Sequence, residues 1–432
     1  MNRVLVVSPS FPPTSAADLH RVRTSLPHFA DFGWTPHVLA IDSHAHGGLV
    51  EPELLATLPA GIPVTRTSAL PNALTRMVGI GNAGLRAVGH LYTAGARLIA
   101  RESIDLVYFS TTMFPVVTLG RLWKRRLGTP FVVDIQDPWK SDYRGAGRAS
   151  GLKARAARFM HGVLEPFAMR EADGVVSVSR AYIDTLQRRY PGLSDESCAV
   201  IPFGASASDF DIARAMPWQN NFFDRNDGRT HAVAVGRGGR DLRQAADMLF
   251  GALRLLQDRG VALRPVHLWF IGTDYSAAAQ DRTIAPAAET AGISEMVTES
   301  PGRVPYLQAL RLLQDSHLTI VLGSDDSAYS PSKVYPYLLA GKPLVAVLHA
   351  GSPVAPLLER ASVGIVARFG TGGDTTLEMA RLADSLGRLF GALPEHTRVA
   401  PELLEPLSAR ELTRRQCDIF DLILRRHARG SR

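Results

Sequence analysis

Cysteine is almost missing from this sequence: 432 residues carry two, Cys198 and Cys417. They lie far apart and outside any metal-ligand spacing, which excludes a disulfide framework and a cysteine-based zinc site and predicts buried thiols in a reducing compartment. Long apolar runs are missing too. No stretch reaches the roughly 18 apolar residues that a membrane-spanning helix needs. The opening run Val4–Val7 is shorter than a signal peptide requires and is followed by Pro12-Pro13 rather than a small-residue cleavage site. The expectation is a cytoplasmic protein. There is no Gly-x-Ser-x-Gly elbow, no His-Glu-x-x-His pair and no Gly-Lys-Ser/Thr phosphate loop, so three common hydrolytic and nucleotide chemistries are set aside. Gly236-Arg-Gly-Gly-Arg240 looks like a dinucleotide fingerprint only superficially, because its third glycine is not where helix packing needs it. No aromatic signature of RNA binding accompanies the arginines, and nucleic acid is not an expected partner. Asp325-Asp326 is too weak a carboxylate pair to imply a metal.

What is present is the composition of a folded protein, 46% hydrophobic and 21% charged. The length suits two domains of about 200 residues each. A net charge of +7 favours anionic partners such as nucleotides or acidic lipid headgroups. Short β-rich runs alternate with helix-period segments: Val4–Val7, then Leu19 to Phe32; Val38–Ile41; Leu106–Phe109, then Val116 to Leu127; Phe131–Ile135; Val175–Val178, then Ala181 to Tyr190. Gly33 and Gly128 stand where left-handed helix caps are wanted, and Pro27 interrupts the first helical pattern. A second series runs Ala232–Val235, Ala245 to Gln257, His267–Ile271, Leu307 to Leu313, Leu318–Leu322, Leu344–Leu348, Gly364–Ala367 and Leu377 to Leu389. Alternation of this kind means parallel sheets covered on both faces. The expected organisation is α/β, two Rossmann-like doubly wound lobes facing a cleft. The first domain is expected over 1–204, a polar and aromatic linker over 205–230, the second domain over 231–410, and a terminal helix over 411–432 that packs back on the first.

The segment Ser330-Pro-Ser-Lys-Val-Tyr-Pro-Tyr-Leu-Leu-Ala-Gly-Lys-Pro343 follows the apolar run Leu318–Leu322 and opens a short helix. Lys333 falls in its first turn, where free backbone N–H groups and the positive end of the macrodipole favour an anion. Arg237 leaves an apolar strand directly after Gly236. Together the two cations suit a nucleotide diphosphate, guanidinium offering a fork and ammonium a point charge. Solvated surface cations are the plainer alternative for both.

These pieces, in this order and spacing, resemble the two-Rossmann-lobe (GT-B) glycosyltransferases, and specifically family 4, a group of retaining, nucleotide-sugar-dependent enzymes. The first lobe carries the resemblance in Val6-Val-Ser-Pro-Ser-Phe-Pro-Pro13, in Phe32-Gly-Trp-Thr-Pro-His-Val-Leu39, in Glu171-Ala-Asp-Gly-Val-Val-Ser-Val-Ser-Arg180 and in Val200-Ile-Pro-Phe-Gly204. Pro130-Phe-Val-Val-Asp-Ile-Gln-Asp-Pro-Trp139 is similar to the "DPW" strand end of a bacterial subgroup. The second lobe carries it in Ala234-Val-Gly-Arg237 and in Lys333 to Pro343. The resemblance implies that Arg237 and Lys333 act on the departing diphosphate, and that Gly236, Arg243, Ser332, Val334 and Tyr335 surround the donor. Arg243, or Arg240, would stand in for the second phosphate lysine. It implies an acceptor and sugar side built from Asp137, Trp139, Gln136 and Arg21; His20 and the hydroxyls of Ser110-Thr111-Thr112 are further candidates, for which a solvated helix face and an ordinary polar turn are the stronger readings. An Asp-Pro turn with a core tryptophan reads Asp137 and Trp139 equally well. No metal or other cofactor is implied.

The departures are as specific. The glutamate pair of the family's second lobe aligns with Ala328 and Pro336, which removes the carboxylate that usually holds the donor ribose. Phe203 replaces an Asn, Gln136 takes the place of an active-site His, and Thr14-Ser-Ala-Ala17 replaces a Gly-Gly loop. The implied activity is hexosyl transfer from a nucleotide sugar to a hydroxyl of a glycan or lipid-linked acceptor, in polysaccharide or cell-envelope glycan synthesis. A nucleotide-sugar epimerase of the same fold and a non-catalytic glycan- or partner-binding relative are the alternatives. Two stretches, Arg76 to Arg101 and Arg144 to Arg158, carry basic residues and no acidic ones beside apolar residues, a pattern suited to the anionic inner face of a cell membrane.

Overall fold

The computed structural model describes residues 1–77, 80–140, 152–260, 265–274, 276, 279–327, 334–370 and 372–430. It divides into two units, Met1–Gly204 with Ser408–Arg432, and Ala205–Leu407.

The first unit is built on a seven-stranded sheet of β1 (Asn2–Val7), β2 (Trp34–Ile41), β3 (Val64–Thr67), β4 (Leu106–Ser110), β5 (Phe131–Ile135), β6 (Gly174–Ser177) and β7 (Cys198–Val200). Their order is β3-β2-β1-β4-β5-β6-β7 and every pairing is parallel. β4 and β5 are buried at every position, as continuous apolar strands covered on both faces must be. One face packs Leu5, Val7, Phe109, Phe131 and Trp123 under the helices Ala83–Arg101 and Thr118–Leu127. The other packs Val4, Val6, Tyr108 and Val132 against Val22, Phe29 and the final helix, Ala409–Gly430. Gly33 and Gly128 close helices at φ 78° and 77°, the left-handed region that a Cβ disfavours. The segment Leu19 to Phe32 is α-helical only to Ser25 and continues as a 3₁₀ helix from Leu26, where Pro27 withdraws its N–H from the α ladder.

The second unit holds a six-stranded parallel sheet of β8 (Thr230–Val235), β9 (Val266–Ile271), β10 (Val297–Ser300), β11 (Leu318–Leu322), β12 (Leu344–His349) and β13 (Gly364–Phe369), ordered β10-β9-β8-β11-β12-β13. Residues 205–230 fold into this unit rather than forming a separate linker. Their apolar residues are the reason: the helix Ala207–Ala215 seats Phe210 and Ala213 against Leu307 and Leu310, and Phe223 stacks on His231 at 4.6 Å. The chain leaves the unit at Leu407, before the helix Ala409–Gly430 begins.

Both sheets reverse their strand order once, between β1 and β4 in the first unit and between β8 and β11 in the second. In open parallel sheets the carboxyl ends of the strands at such a reversal leave the crevice that ligands enter.

Candidate functional site

At the carboxyl end of β8 the chain turns through Gly236 and Gly239, both at positive φ (108° and 142°). The Gly236 N–H donates to Ile271 O at 2.8 Å, Gly238 N–H to Thr273 O at 2.7 Å, and Gly239 N–H to Thr283 Oγ1 at 3.0 Å. A Cβ on Gly238 would stand 2.6 Å from Thr283 Oγ1 and 2.9 Å from Thr273 Cβ, so only glycine fits. The two threonines are held by Glu299, a buried carboxylate at the end of β10. It accepts from Thr273 Oγ1 at 2.7 Å and from the N–H groups of Thr283, Ile284 and Ala285 at 3.0, 2.9 and 2.7 Å. Glu299 thereby fixes the wall against which the glycine turn is pressed. Gly236, Arg237 and Gly238 line a small pocket floored by Thr273, Leu242, Ile284 and Leu322.

Arg237 projects from this turn, half-buried, and forms a fork with Asp241: Nη1 to Oδ1 at 3.0 Å and Nη2 to Oδ2 at 2.6 Å. Burial is the largest single influence on the Asp241 carboxyl and raises its pKa. The hydrogen bond and charge of Arg237, with help from the Ser324 hydroxyl, outweigh it and leave the pKa below the ordinary carboxylate value. The Asp241 carbonyl accepts the Asp325 N–H at 2.9 Å, so one residue joins the loops that follow β8 and β11. Arg243 is not brought to this pair. Its Nε meets Asp247 at 2.6 Å and its Nη2 meets Thr290 at 3.3 Å, further along its own helix and on the next. Arg240 is exposed. Lys333, Ser332 and Ala328 lie outside the described residues. Val334 and Tyr335 open the helix Val334–Leu339 as buried residues, Val334 within the apolar core, and burial raises the Tyr335 phenol pKa. Pro336 is half-buried in the same helix, which is tied to β8 through Tyr337, whose hydroxyl accepts the Val235 N–H at 2.7 Å.

In the first unit the structure brings Arg21, Gln136 and Asp134 together, as an internal network. The buried Arg21 places Nε 2.8 Å from Asp134 Oδ2 and donates through Nη2 to Ile201 O at 2.7 Å, with Phe203 under the guanidinium at 5.1 Å. The replacement of Asn by Phe203 thus supplies an aromatic face to a desolvated cation. Gln136 Nε2 donates to Asp134 Oδ2 at 2.7 Å and to Ser110 Oγ at 3.0 Å, and Ser110 Oγ donates to Asp134 at 2.9 Å. Trp139 is buried, stacked on Phe114 at 5.1 Å, and donates its ring N–H to His161 Nδ1 at 2.9 Å. It stands in the core rather than open to a sugar face. Asp137 stands open at the end of β5. Its carboxyl pKa is raised, first by desolvation among surrounding protein and then by the charge of Asp18.

Sequence reasoning passed over Asp18, His46, Asp241 and Glu299. Asp18 accepts the Thr112 N–H at 2.8 Å and the hydroxyls of Thr111 and Thr112 at 3.2 and 3.1 Å, so the first loop is bound to the end of β4. His46 accepts the Gly48 N–H on Nδ1 at 3.1 Å, which leaves Nε2 to donate to Ser10 Oγ at 3.2 Å. Burial lowers its pKa against the opposing pull of Asp18. The one legible signal was the spacing of Arg237 and Asp241, four residues apart and of opposite charge.

Residues 5–204 match the glycosyl transferase 4-like domain. The match runs from within β1 to just past β7. No curated protein matches the sequence. Among solved structures, an α,α-trehalose 6-phosphate synthase from Burkholderia multivorans aligns over 100% of this chain and 97% of its own, with a TM-score of 0.57 at 14% identity. A sucrose-phosphate synthase from Thermosynechococcus elongatus aligns over 100% and 98%, with a TM-score of 0.54 at 12% identity. The MnaA–UDP co-structure from S. aureus aligns over 96% and 95%, with a TM-score of 0.50 at 12% identity. Likeness at such identity establishes the fold, two parallel-sheet α/β lobes of the GT-B kind.

Proposed function

We propose that this protein is a retaining glycosyltransferase of the hexosyl-transferring class. It moves a sugar from a nucleotide-sugar donor to a hydroxyl of a glycan or lipid-linked acceptor, in polysaccharide or cell-envelope glycan assembly at the inner face of the cell membrane. The observation that carries this reading is the match of residues 5–204 to the glycosyl transferase 4-like domain. It is supported by the Gly236–Arg237 turn at the strand-order reversal of the second sheet.

In this reading the donor diphosphate lies against the glycine turn. Negative charge grows on the leaving phosphate as the glycosidic bond breaks, and a cation already in place stabilises that state without reorganising. Arg237, oriented by Asp241, is one such cation; the sequence offers Lys333 as the second. Asp137 receives a hydroxyl of the transferred sugar or of the acceptor. No side chain here is assigned as a base: the departing phosphate takes the acceptor proton, which is the route consistent with retention. With Pro336 where a ribose-binding carboxylate would stand, the donor ribose is held without that contact. No metal or other cofactor enters the proposal.

The test is to incubate the full chain with a panel of nucleotide sugars and a panel of glycan and lipid-linked acceptors, and to read the product's anomeric configuration by NMR. Transfer with the donor's configuration kept supports the proposal. Inverted product overturns retention, and conversion of the nucleotide sugar with no acceptor present overturns transfer in favour of epimerisation.

A further inference from the structure

A short helix, Asn72–Met77, precedes the helix Ala83–Arg101 and buries Thr75 on its inner side. Leu70, Leu74, Met77 and Ile80 face outward, 52%, 64%, 84% and 37% exposed. Leu74 and Met77, one turn apart, share a face of this helix. The segment is strapped down rather than loose: Arg86 Nη1 donates to Leu70 O at 2.7 Å, Leu70 N–H to Arg86 O at 3.0 Å, and Ile80 N–H to Thr75 O at 2.9 Å. On the helix Leu152–Met169, Phe159 and Val163 are 76% and 53% exposed one turn apart, while Glu165, Ala168 and Met169 face inward. The helix that follows the first segment, and the second segment itself, border the turn Phe114–Val117. A Cβ on Gly84 would stand 3.0 Å from Met113 and Val116, and Trp139, stacked on Phe114, bonds His161 of the second segment.

Charge decides what such a surface meets. Between Glu53 and Glu102 the sequence has no acidic residue, and Arg76, beside Met77, is exposed, whereas Arg86 is the buried strap and Arg66 donates to Pro12 O. Between residues 152 and 164 there is again none, and Arg155 and Arg158 are exposed beside Phe159. A second copy of the chain would set arginine against arginine. An anionic leaflet matches both the charge and the exposed apolar side chains.

We propose that this face docks on an anionic lipid surface, with Leu74, Met77 and Phe159 entering the acyl boundary and Arg76, Arg155 and Arg158 meeting the headgroups. The inference stands independently of the transfer reaction. The test is co-sedimentation of the full chain with vesicles of phosphatidylcholine alone or of equimolar phosphatidylcholine and phosphatidylglycerol. It is run for wild type, Met77→Glu, Phe159→Glu and the milder Phe159→Ser, each with its unfolding midpoint measured. Wild type should sediment with the anionic vesicles only. Each Glu variant, with its midpoint unchanged, should lower the partition coefficient at least about tenfold. Added salt at 0.5 M, which shortens the Debye length to roughly 4 Å, should weaken binding. Equal recovery with both vesicle types, or undiminished binding of the folded variants, would overturn the proposal. So would a vesicle-independent dimer, seen by sedimentation velocity, that the same substitutions dissolve.

Discussion

The fork between Arg237 and Asp241 is the most specific arrangement at the second unit's strand reversal, and it makes separable predictions. Arg237→Ala should reduce transfer about a hundredfold or more, as when a preorganised donor to a developing charge is removed. Arg237→Lys should recover little of it, because an ammonium cannot fork between a carboxylate and a phosphate. Asp241→Ala should cost less, since the cation remains and only its orientation is lost; steady-state kinetics at saturating donor separate the three. Equal rates in wild type and Arg237→Ala would remove this residue from the mechanism. Asp137 gives a prediction in pH. Its folded pKa lies above that of an ordinary aspartate, so the native state binds more protons than the unfolded chain between those two values. Stability falls as pH rises through that window, and the ionised carboxylate is a cost at pH 7. Asp137→Asn should therefore raise Tm at pH 7, give no gain at pH 3, and lower activity. A variant no more stable than wild type at pH 7 would contradict the desolvation of this group.

At the scale of elements, the sequence was most readable where burial is uniform. β4, β5 and β11 are buried at every position and stand out as unbroken apolar runs, and Gly33 and Gly128 cap helices because no other residue takes their φ without strain. Contacts between remote segments were not readable. Arg21 reads as a cation near a binding loop, but its partners are Asp134 on β5 and Ile201 just after β7, both far along the chain. Trp139 looked available for stacking until Phe114 and His161 took its ring and its N–H. The stretch 205–230 looked like a linker because its apolar residues lack a period, yet Phe210 and Phe223 find partners in the second unit. The final helix shows the same lesson in energetic form. Phe420 meets Trp34 at 5.2 Å and Tyr108 at 5.1 Å, and Asp421 accepts the Trp34 ring N–H at 3.0 Å. Phe420→Ala should cost about 3–5 kcal/mol by transfer and cavity terms together, measured by chemical denaturation of the full chain. A loss under about 1 kcal/mol, the range of surface substitutions, would mean this helix is not part of the first unit's core.

For the molecule as a whole, six histidines, His28, His37, His46, His161, His267 and His317, have pKa values lowered from 6.5, each chiefly by burial. A base whose folded pKa is depressed binds fewer protons in the native state, so its contribution is intact above the unfolded value and is lost as pH falls through the folded one. Tm should hold between pH 8 and pH 7 and fall progressively below about pH 6; a Tm unchanged down to pH 5 would contradict the neutral burial of these rings. The proposed donor-diphosphate site lies at the reversal between β8 and β11. A thermal-shift comparison of the full-length wild type and Arg237→Ala, against a panel of nucleoside diphosphates at fixed salt, tests it most directly. A ligand at a hundred times its Kd stabilises the native state by about 2.7 kcal/mol, which is ample to resolve as a change in Tm. The account predicts that at least one nucleoside diphosphate raises the Tm of wild type and leaves Arg237→Ala nearly unshifted; no shift with any of them, or the same shift in both proteins, would contradict it.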